Sequence, residues 1–406
     1  METKGWQKLL KLVAVILLLC LGTGLGFYFG QEEGERKAVN QFFSQGAGED
    51  VSNLDFTLFW ETWQTLKEKF IDKTKFDNQK MLYGAIAGIV SSLDDPYTIF
   101  MNPEESEKFM EDVSGKFEGI GMEIGQKKGQ LQIITPLEGT PAQRANLRAG
   151  DKIIKIDGVF TSDMTIDDAV SKIRGKKGTA VTLAIFREGW NNTKDFKIIR
   201  DVIEVPSLKW ELIDDNIAYI ELYQFSEKAG YDFKKASLEI LNSSADKIIL
   251  DLRNNPGGYL EVSRNIASLF MEKGSLVAIE DFGDKTESKK YITDGNNIFS
   301  SLPMVILINQ GSASASEILA GALRDNRNIK LIGETSFGKG SVQEVKNLKD
   351  GSSLKVTVAK WLTPKGQSIS DHGLVPDIEI EITDEDYQTD KDPQLDKAIE
   401  ILKEIR

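Results

Sequence analysis

The chain has 406 residues, 40% hydrophobic and 28% charged, with a formal net charge of −13 at pH 7. That length exceeds one small core, so two or three folded units are expected, and the acidic balance argues against a nucleic-acid partner. One cysteine, Cys20, and one histidine, His372, exclude an intrachain disulfide scaffold and leave a single imidazole for any Ser-His arrangement.

Lys4, Lys8 and Lys11 precede an uncharged run, residues 12–29, and Glu32, Glu33 and Glu35 follow it. The run is at the short end of what spans a bilayer, and basic residues stay inside. Residues 1–30 therefore read as a single-pass membrane anchor with the remainder extracytoplasmic; because Cys20 falls within them, a cysteine-based hydrolase is excluded. A cleaved signal peptide is the alternative, although no small-x-small site ends the run cleanly. Residues 31–53 are polar and read as a linker. In 54–106, Leu58, Phe59, Trp63, Leu66 and Phe70 recur at helical spacing, as do Ile86, Ile89 and Val90, until Asp94-Asp95-Pro96-Tyr97 breaks the pattern. Nothing catalytic is visible in this helical region.

Residues 107–202 read as a second unit. Strand patterns fall at 131–135, 152–156 and 180–186, with Asp157-Gly158 as a hairpin turn. Ile166, Ala169, Val170 and Ile173 mark one amphipathic helix. Gly119-Ile120-Gly121-Met122 precedes a strand; such glycines let backbone N–H groups converge on a terminal carboxylate while the ligand adds as a strand. An ordinary glycine turn has the same sequence. Arg174 closes the helix, either as a solvated helix-end cation or as a partner for a carboxylate.

Residues 203–406 alternate strand and helix patterns, which implies an α/β core. After a buried strand at 247–252, Asn254-Asn255-Pro256-Gly257-Gly258 turns sharply into a helix at 259–270. Such a loop can aim N–H groups at a developing oxyanion, or it can simply turn. A strand at 304–308 leads through Gly311-Ser-Ala-Ser-Ala-Ser-Glu317 into a helix with Ile318, Leu319, Ala322 and Leu323 on one face. A strand at 329–332 and a glycine-rich loop carrying Lys339 follow. A helix of about 12 residues rises about 18 Å, and about 6 extended residues return about 20 Å, so Lys339 ends near the serines. The chemistry this suits is a Ser/Lys nucleophilic dyad. Lysine serves as the base only if its ammonium is destabilised by about 3 pKa units, about 4 kcal/mol. A desolvated loop beside Phe337 and Val342 is the expected source. Taken singly, Ser314 to Glu317 is also a helix capping box, and Lys339 an ordinary loop lysine. A strand at 355–362 and an amphipathic helix from Pro393 complete the unit.

Four ordered blocks, at 251–258, 311–317, 333–340 and 362–377, together resemble the carboxy-terminal processing (tail-specific) proteases, over nearly everything after about Asp55. The resemblance implies an α/β multidomain protein with a PDZ domain and a serine protease core. It implies Ser314 as nucleophile, Lys339 as general base and Gln343 as the residue positioning that lysine. One N–H of the Gly257/Gly258 pair and that of Ala315 would form the oxyanion hole. Gly119, Ile120, Gly121 and Met122 would bind peptide, Arg174 would couple the PDZ domain to the catalytic site, and Asp325 would give structural support. The N-terminal helices would pack on the core and support a homodimer. The function expected is a bacterial, membrane-anchored serine endopeptidase acting on extracytoplasmic proteins with exposed apolar C-termini, without cofactor or metal. A P-loop reading of 333–339 fails, because Gly340 stands where a hydroxyl must ligate Mg²⁺. A catalytically silent PDZ adaptor is at odds with intact Ser314, Lys339 and Gln343. An acyl-CoA enzyme on a related fold would need neither Ser314 nor Lys339.

Overall fold

The computed structural model describes residues 55–405, apart from 128–129, 138, 163, 284–285, 371, 384, 387–388 and 390. The expected anchor and linker lie outside the described residues. Among those described, no helix is long and apolar enough to cross a membrane.

The helices Thr57–Lys69 and Asn78–Ser91 form where the apolar spacing places them. Phe59, Trp60, Trp63 and Phe76 make edge and tilted ring contacts around Trp63. Leu58, Leu66 and Ile89, on the expected apolar stripes, are exposed.

A further helix, Pro103–Ser114, has every local start and stop signal. Asn102 caps it, Pro103 stands at the first position, Glu105 closes a capping box, and Gly115 ends it in the left-handed region at φ +72°. It runs across the boundary drawn at residue 106 from the sequence. The next unit enters on the strand Lys116–Gly119 and leaves on Asp201–Glu204. These two pair antiparallel from Lys116↔Glu204 to Gly119↔Asp201, forming a two-stranded neck. Between them lies a sheet of Met122–Lys127, Gln130–Pro136, Lys152–Ile156, Ala180–Phe186 and Lys194–Ile199. The expected turn is present, with Asp157 at φ +47° and Gly158 at φ +81°. The helix Ile166–Ile173 buries Ala169 and Ile173 against Ile120, Ile133 and Leu183.

The last unit is built on a six-stranded sheet. Leu208–Ile213 is antiparallel to Ile217–Leu222, and then Lys247–Asp251, Met304–Ile308, Lys330–Gly333 and Ile378–Glu379 run parallel. These strands read as continuous apolar runs because both faces are covered. Ile248, Leu250, Ile306 and Leu331 join a cluster with Phe233, Ile266 and Leu319. Ile249, Val305, Leu307 and Ile332 join Ala398 and Leu402 of the C-terminal helix Pro393–Glu404. A second sheet centres on Ser353–Leu362, flanked by Ser341–Asn347 and by Ile99–Met101.

Candidate active site

The parallel strands Lys247–Asp251, Met304–Ile308 and Lys330–Gly333 are neighbours, so the three loops leaving their carboxyl ends meet at one sheet edge, where ligands of open α/β sheets bind. Those loops carry the first three sequence blocks.

Ser314 sits on the turn between strand and helix at φ +56°, ψ −112°. A non-glycine residue there costs about 1–3 kcal/mol and persists only when its surroundings hold it. The flanking serines do this. Ser312 Oγ donates to Leu252 O at 2.7 Å, Ser316 Oγ to Asn255 O at 2.9 Å, and Ala313 N–H to Asn255 O at 3.0 Å. The first loop can lie this close because residue 257 is glycine: a Cβ there would stand 2.6 Å from Ala313 O and 2.9 Å from Ser314 Cβ. Gly257 N–H donates to Asn255 Oδ1 at 2.9 Å.

Glu317 does more than close a capping box. Its carboxylate, in a residue 1% exposed, accepts from Ser314 N–H (2.7 Å), Ser336 Oγ (2.7 Å), Gly338 N–H (2.8 Å) and Lys339 N–H (3.1 Å). Burial pushes its pKa up, and these donors oppose that shift. Ser336 Oγ in turn accepts from Leu374 N–H at 2.7 Å, which brings in the fourth block.

Lys339 is half-buried, with Nζ 5.9 Å from the centroid of the Tyr97 ring. Burial pulls the lysine below its ordinary range, and the nearby Glu317 charge pushes the other way. The expected desolvation by Phe337 is not what the structure shows: that side chain turns outward and is 56% exposed. Val342 does line the cleft and packs on the core. Gln343 Nε2 donates to Ser341 Oγ at 2.7 Å. Among the described residues, no hydrogen bond joins Lys339 Nζ to Ser314 Oγ or to Gln343. Side chains that move a proton in the reacting complex are often apart without substrate.

Ser314, Ala315, Gly257, Gly258, Lys339 and Gln343 all line one cleft of about 570 Å³. A second amine, Lys355, lines it too; burial and the Lys339 charge both lower its pKa, against Asp95. His372 is exposed and outside the cleft. Asp325, near the helix end, accepts from Lys365 N–H at 3.0 Å and pins the loop after the strand Ser353–Leu362.

In the smaller unit, Ile120, Gly121 and Met122 line a groove of about 390 Å³ with Phe117, Leu137, Ile173 and Arg174. Gly119 stands at the end of the neck, outside the groove lining. Gly121 has φ +74°, and a Cβ there would lie 2.5 Å from Thr140 Cβ. Arg174 stacks 4.4 Å from the Phe117 ring centroid and lies 3.5 Å from both Glu111 and Asp112. Asp112 also lines the catalytic cleft, as do Phe109, Met110 and Val113. This helix, the places of Tyr97 and Lys355 at the cleft and the wider contacts of Glu317 are not foreseen from the sequence. Only the helix left a local signal, in Asn102-Pro103-Glu104-Glu105.

A serine on a held, strained turn, flanked by glycine-loop amides and joined to a groove-bearing second unit, defines a serine peptidase with a PDZ domain. Known proteins make the class specific. The model of peptidase family S41 matches residues 216–380, that of the PDZ domain 108–186, and that of the activating protease CtpB N-terminal domain 19–105. The chain is 40% identical, over 324 residues, to the carboxy-terminal processing protease CtpA of Bacillus subtilis (strain 168), covering 80% of this chain and 68% of that one. It is 36% identical over 378 residues to a Staphylococcus aureus (strain COL) chain described as a CtpA-like serine protease, covering 93% and 73%. A solved structure described as an S41 protease of Bacteroides fragilis shares the fold, with a TM-score of 0.52 at 17% identity over 84% of this chain and 97% of that one. The chain belongs to peptidase family S41 and is a serine-type C-terminal processing peptidase.

Proposed function

We propose that the chain is a membrane-anchored endopeptidase that recognises the C-terminal tails of extracytoplasmic proteins and cleaves them through an acyl-enzyme on Ser314. The observation that carries this reading is the convergence of Ser314, Ala315, the Gly257/Gly258 loop and a burial-depressed Lys339 on one cleft. Neutral Lys339 takes the Ser314 proton as Oγ attacks the scissile carbonyl carbon. The C–N bond breaks as the lysine returns that proton to the leaving amine. Water, deprotonated by the same lysine, then hydrolyses the ester. Gly257 N–H is engaged by Asn255, so Gly258 N–H is the loop donor left for the oxyanion, opposite Ala315 N–H. Lys339 swings from Tyr97 toward Ser314 when substrate fills the cleft, and Gln343 orients it there.

The tail binds in the groove beside Met122–Lys127, extending that sheet, with its carboxylate at the 119–122 loop. The apolar wall of Ile120, Met122, Leu137 and Ile173 favours an apolar last residue. Arg174 couples the groove to the cleft. The working units are those drawn from the sequence, 54–106, 107–202 and 203–406, with the first boundary moved to Gly115, where the helix Pro103–Ser114 ends, behind an anchor at 1–30.

Mass spectrometry of a model protein, with and without its last residues, tests the proposal. Peptides should appear with the tail, fall sharply without it, and vanish with Ser314→Ala. Tail binding without any cleavage would leave a silent adaptor in its place.

A further inference from the structure

A buried carboxylate is costly unless its oxygens are satisfied. Only one of the four bonds to Glu317, from Ser314 N–H, belongs to helix capping. The other three come from the loop that follows the strand Lys330–Gly333. Oε2 is shared between the backbone N–H groups of Ser314 and Lys339, at 2.7 and 3.1 Å, and Oε1 takes Ser336 Oγ and Gly338 N–H. One carboxylate thus spans the nucleophile turn and the base loop.

We propose that Glu317 is a positioning residue for the reaction: its carboxylate fixes the nucleophile turn and the lysine loop to each other. This rests on the Ser314–Lys339 reading above. Four donors fill the acceptor capacity of an ionised carboxylate and oppose the upward push of burial on its pKa. The held carboxylate then over-determines the strained backbone of Ser314, and bonds to peptide N–H groups leave little side-chain freedom between the two loops. Its charge has a second effect, because a buried anion near Lys339 favours the ammonium. Among the described residues, the other titratable or charged groups of the cleft region are Lys355 with Asp95 beside it, Tyr97 under the Lys339 ammonium, Asp112, Tyr259, Glu280 and Tyr291. Glu317 is the one hydrogen-bonded to the backbone of both dyad residues.

Glu317→Gln is nearly isosteric, but its NH₂ must face N–H or O–H donors whichever way the amide is turned. In the full chain acting on a tailed substrate, kcat should fall about 100-fold, with KM within about threefold. The acid limb of kcat should move to lower pH, because losing the anion weakens the Lys339 ammonium. Glu317→Asp keeps the charge but is too short to reach both loops, so kcat should fall with the acid limb unmoved. Circular dichroism and binding of a tail peptide to the PDZ groove report folding; if Glu317→Gln does not fold, Glu317→Asp decides the matter by its kcat. A kcat within about threefold of the parent in either folded variant, or a loss in Glu317→Gln with the acid limb in place, overturns the role. Ser314→Ala separates the levels. Residual cleavage by it overturns the nucleophile assignment, whereas an inert Ser314→Ala beside a normal Glu317→Gln overturns only the role of Glu317.

Discussion

Replacing Arg253 by methionine tests what the arginine of the first block is for. Its guanidinium lies 2.6 Å from Asp251 Oδ2 and 2.8 Å from Asp392 Oδ2, and donates to Gln394 Oε1 at 3.1 Å. It therefore ties the end of the strand Lys247–Asp251 to the start of the helix Pro393–Glu404. The side chains are 11% exposed for Arg253, 7% for Asp251 and 33% for Asp392. Removing one partner of a buried pair costs about 3–5 kcal/mol, because the other charge is left in the interior. Asp251 would keep the Tyr219 hydroxyl at 2.7 Å and the backbone N–H of residue 253 at 2.9 Å, and water screens Asp392. The expected cost is thus at the low end, about 3 kcal/mol, while Asp392→Asn alone should cost about 1 kcal/mol. Native-state hydrogen exchange is the assay, since it reads the strand and helix locally without requiring global two-state unfolding. Asp251→Asn combined with Arg253→Met should recover part of the loss, because no uncompensated charge is left at 251. Cleavage by the folded fraction should stay within about tenfold of the parent. An Arg253→Met cost below about 1 kcal/mol would refute the assignment of this arginine to architecture.

Ser314→Ala and Lys339→Ala should each abolish cleavage with the circular dichroism spectrum unchanged. His372→Ala should lower cleavage by less than about tenfold, about 1.4 kcal/mol; a loss matching that of Lys339→Ala would install a Ser-His mechanism. Burial holds the Lys339 pKa below 10.5, and the neutral amine is the working form, so activity should rise with pH through that lowered pKa. Lys355→Met removes a like charge, lets Lys339 keep its proton to higher pH, and should move the acid limb of kcat/KM upward; a limb that stays or moves down counts against the coupling. Arg174→Ala should lower kcat/KM for tailed substrates strongly and for a short untailed peptide little, and an unchanged tailed value would make the PDZ unit a tether.

What was legible in the sequence was whatever local spacing carries. The strands Lys152–Ile156 and Met304–Ile308 and the helix Pro393–Glu404 start where the apolar pattern and proline signals place them. The convergence of Ser314 and Lys339 on one cleft followed from the lengths of a helix and a return strand. What was not legible comes from contacts between distant segments. The i to i+3 pattern reveals the Ser314–Glu317 bond but not those from Ser336, Gly338 and Lys339. The ring nearest the lysine ammonium is Tyr97, remote in sequence, while adjacent Phe337 points away. Spacing also shows that 58 and 66 share a helix face without showing that Leu58 and Leu66 are exposed.

The helix Pro103–Ser114 gives the proposed coupling between groove and cleft a physical form. Arg174, in the groove lining, reaches Glu111 and Asp112 of that helix, and the same turn faces the cleft through Asp112 and Val113. Both ion-pair distances are 3.5 Å, with Arg174 28% and Asp112 66% exposed. A contact that long to the exposed Asp112 contributes about 0–1 kcal/mol, and the contact to Glu111, itself only 24% exposed, is equally long. A tail carboxylate entering the groove needs only a modest advantage over them to draw the guanidinium away. A ligand shifts an equilibrium only by its differential affinity for the two states, so a weak latch is the kind a peptide terminus can release. The Phe117 ring lies 4.4 Å from the guanidinium carbon and can serve as the pivot. Burial raises the Glu111 pKa while Glu118 N–H and Arg174 oppose the rise, so losing Arg174 leaves that carboxyl group holding its proton more tightly.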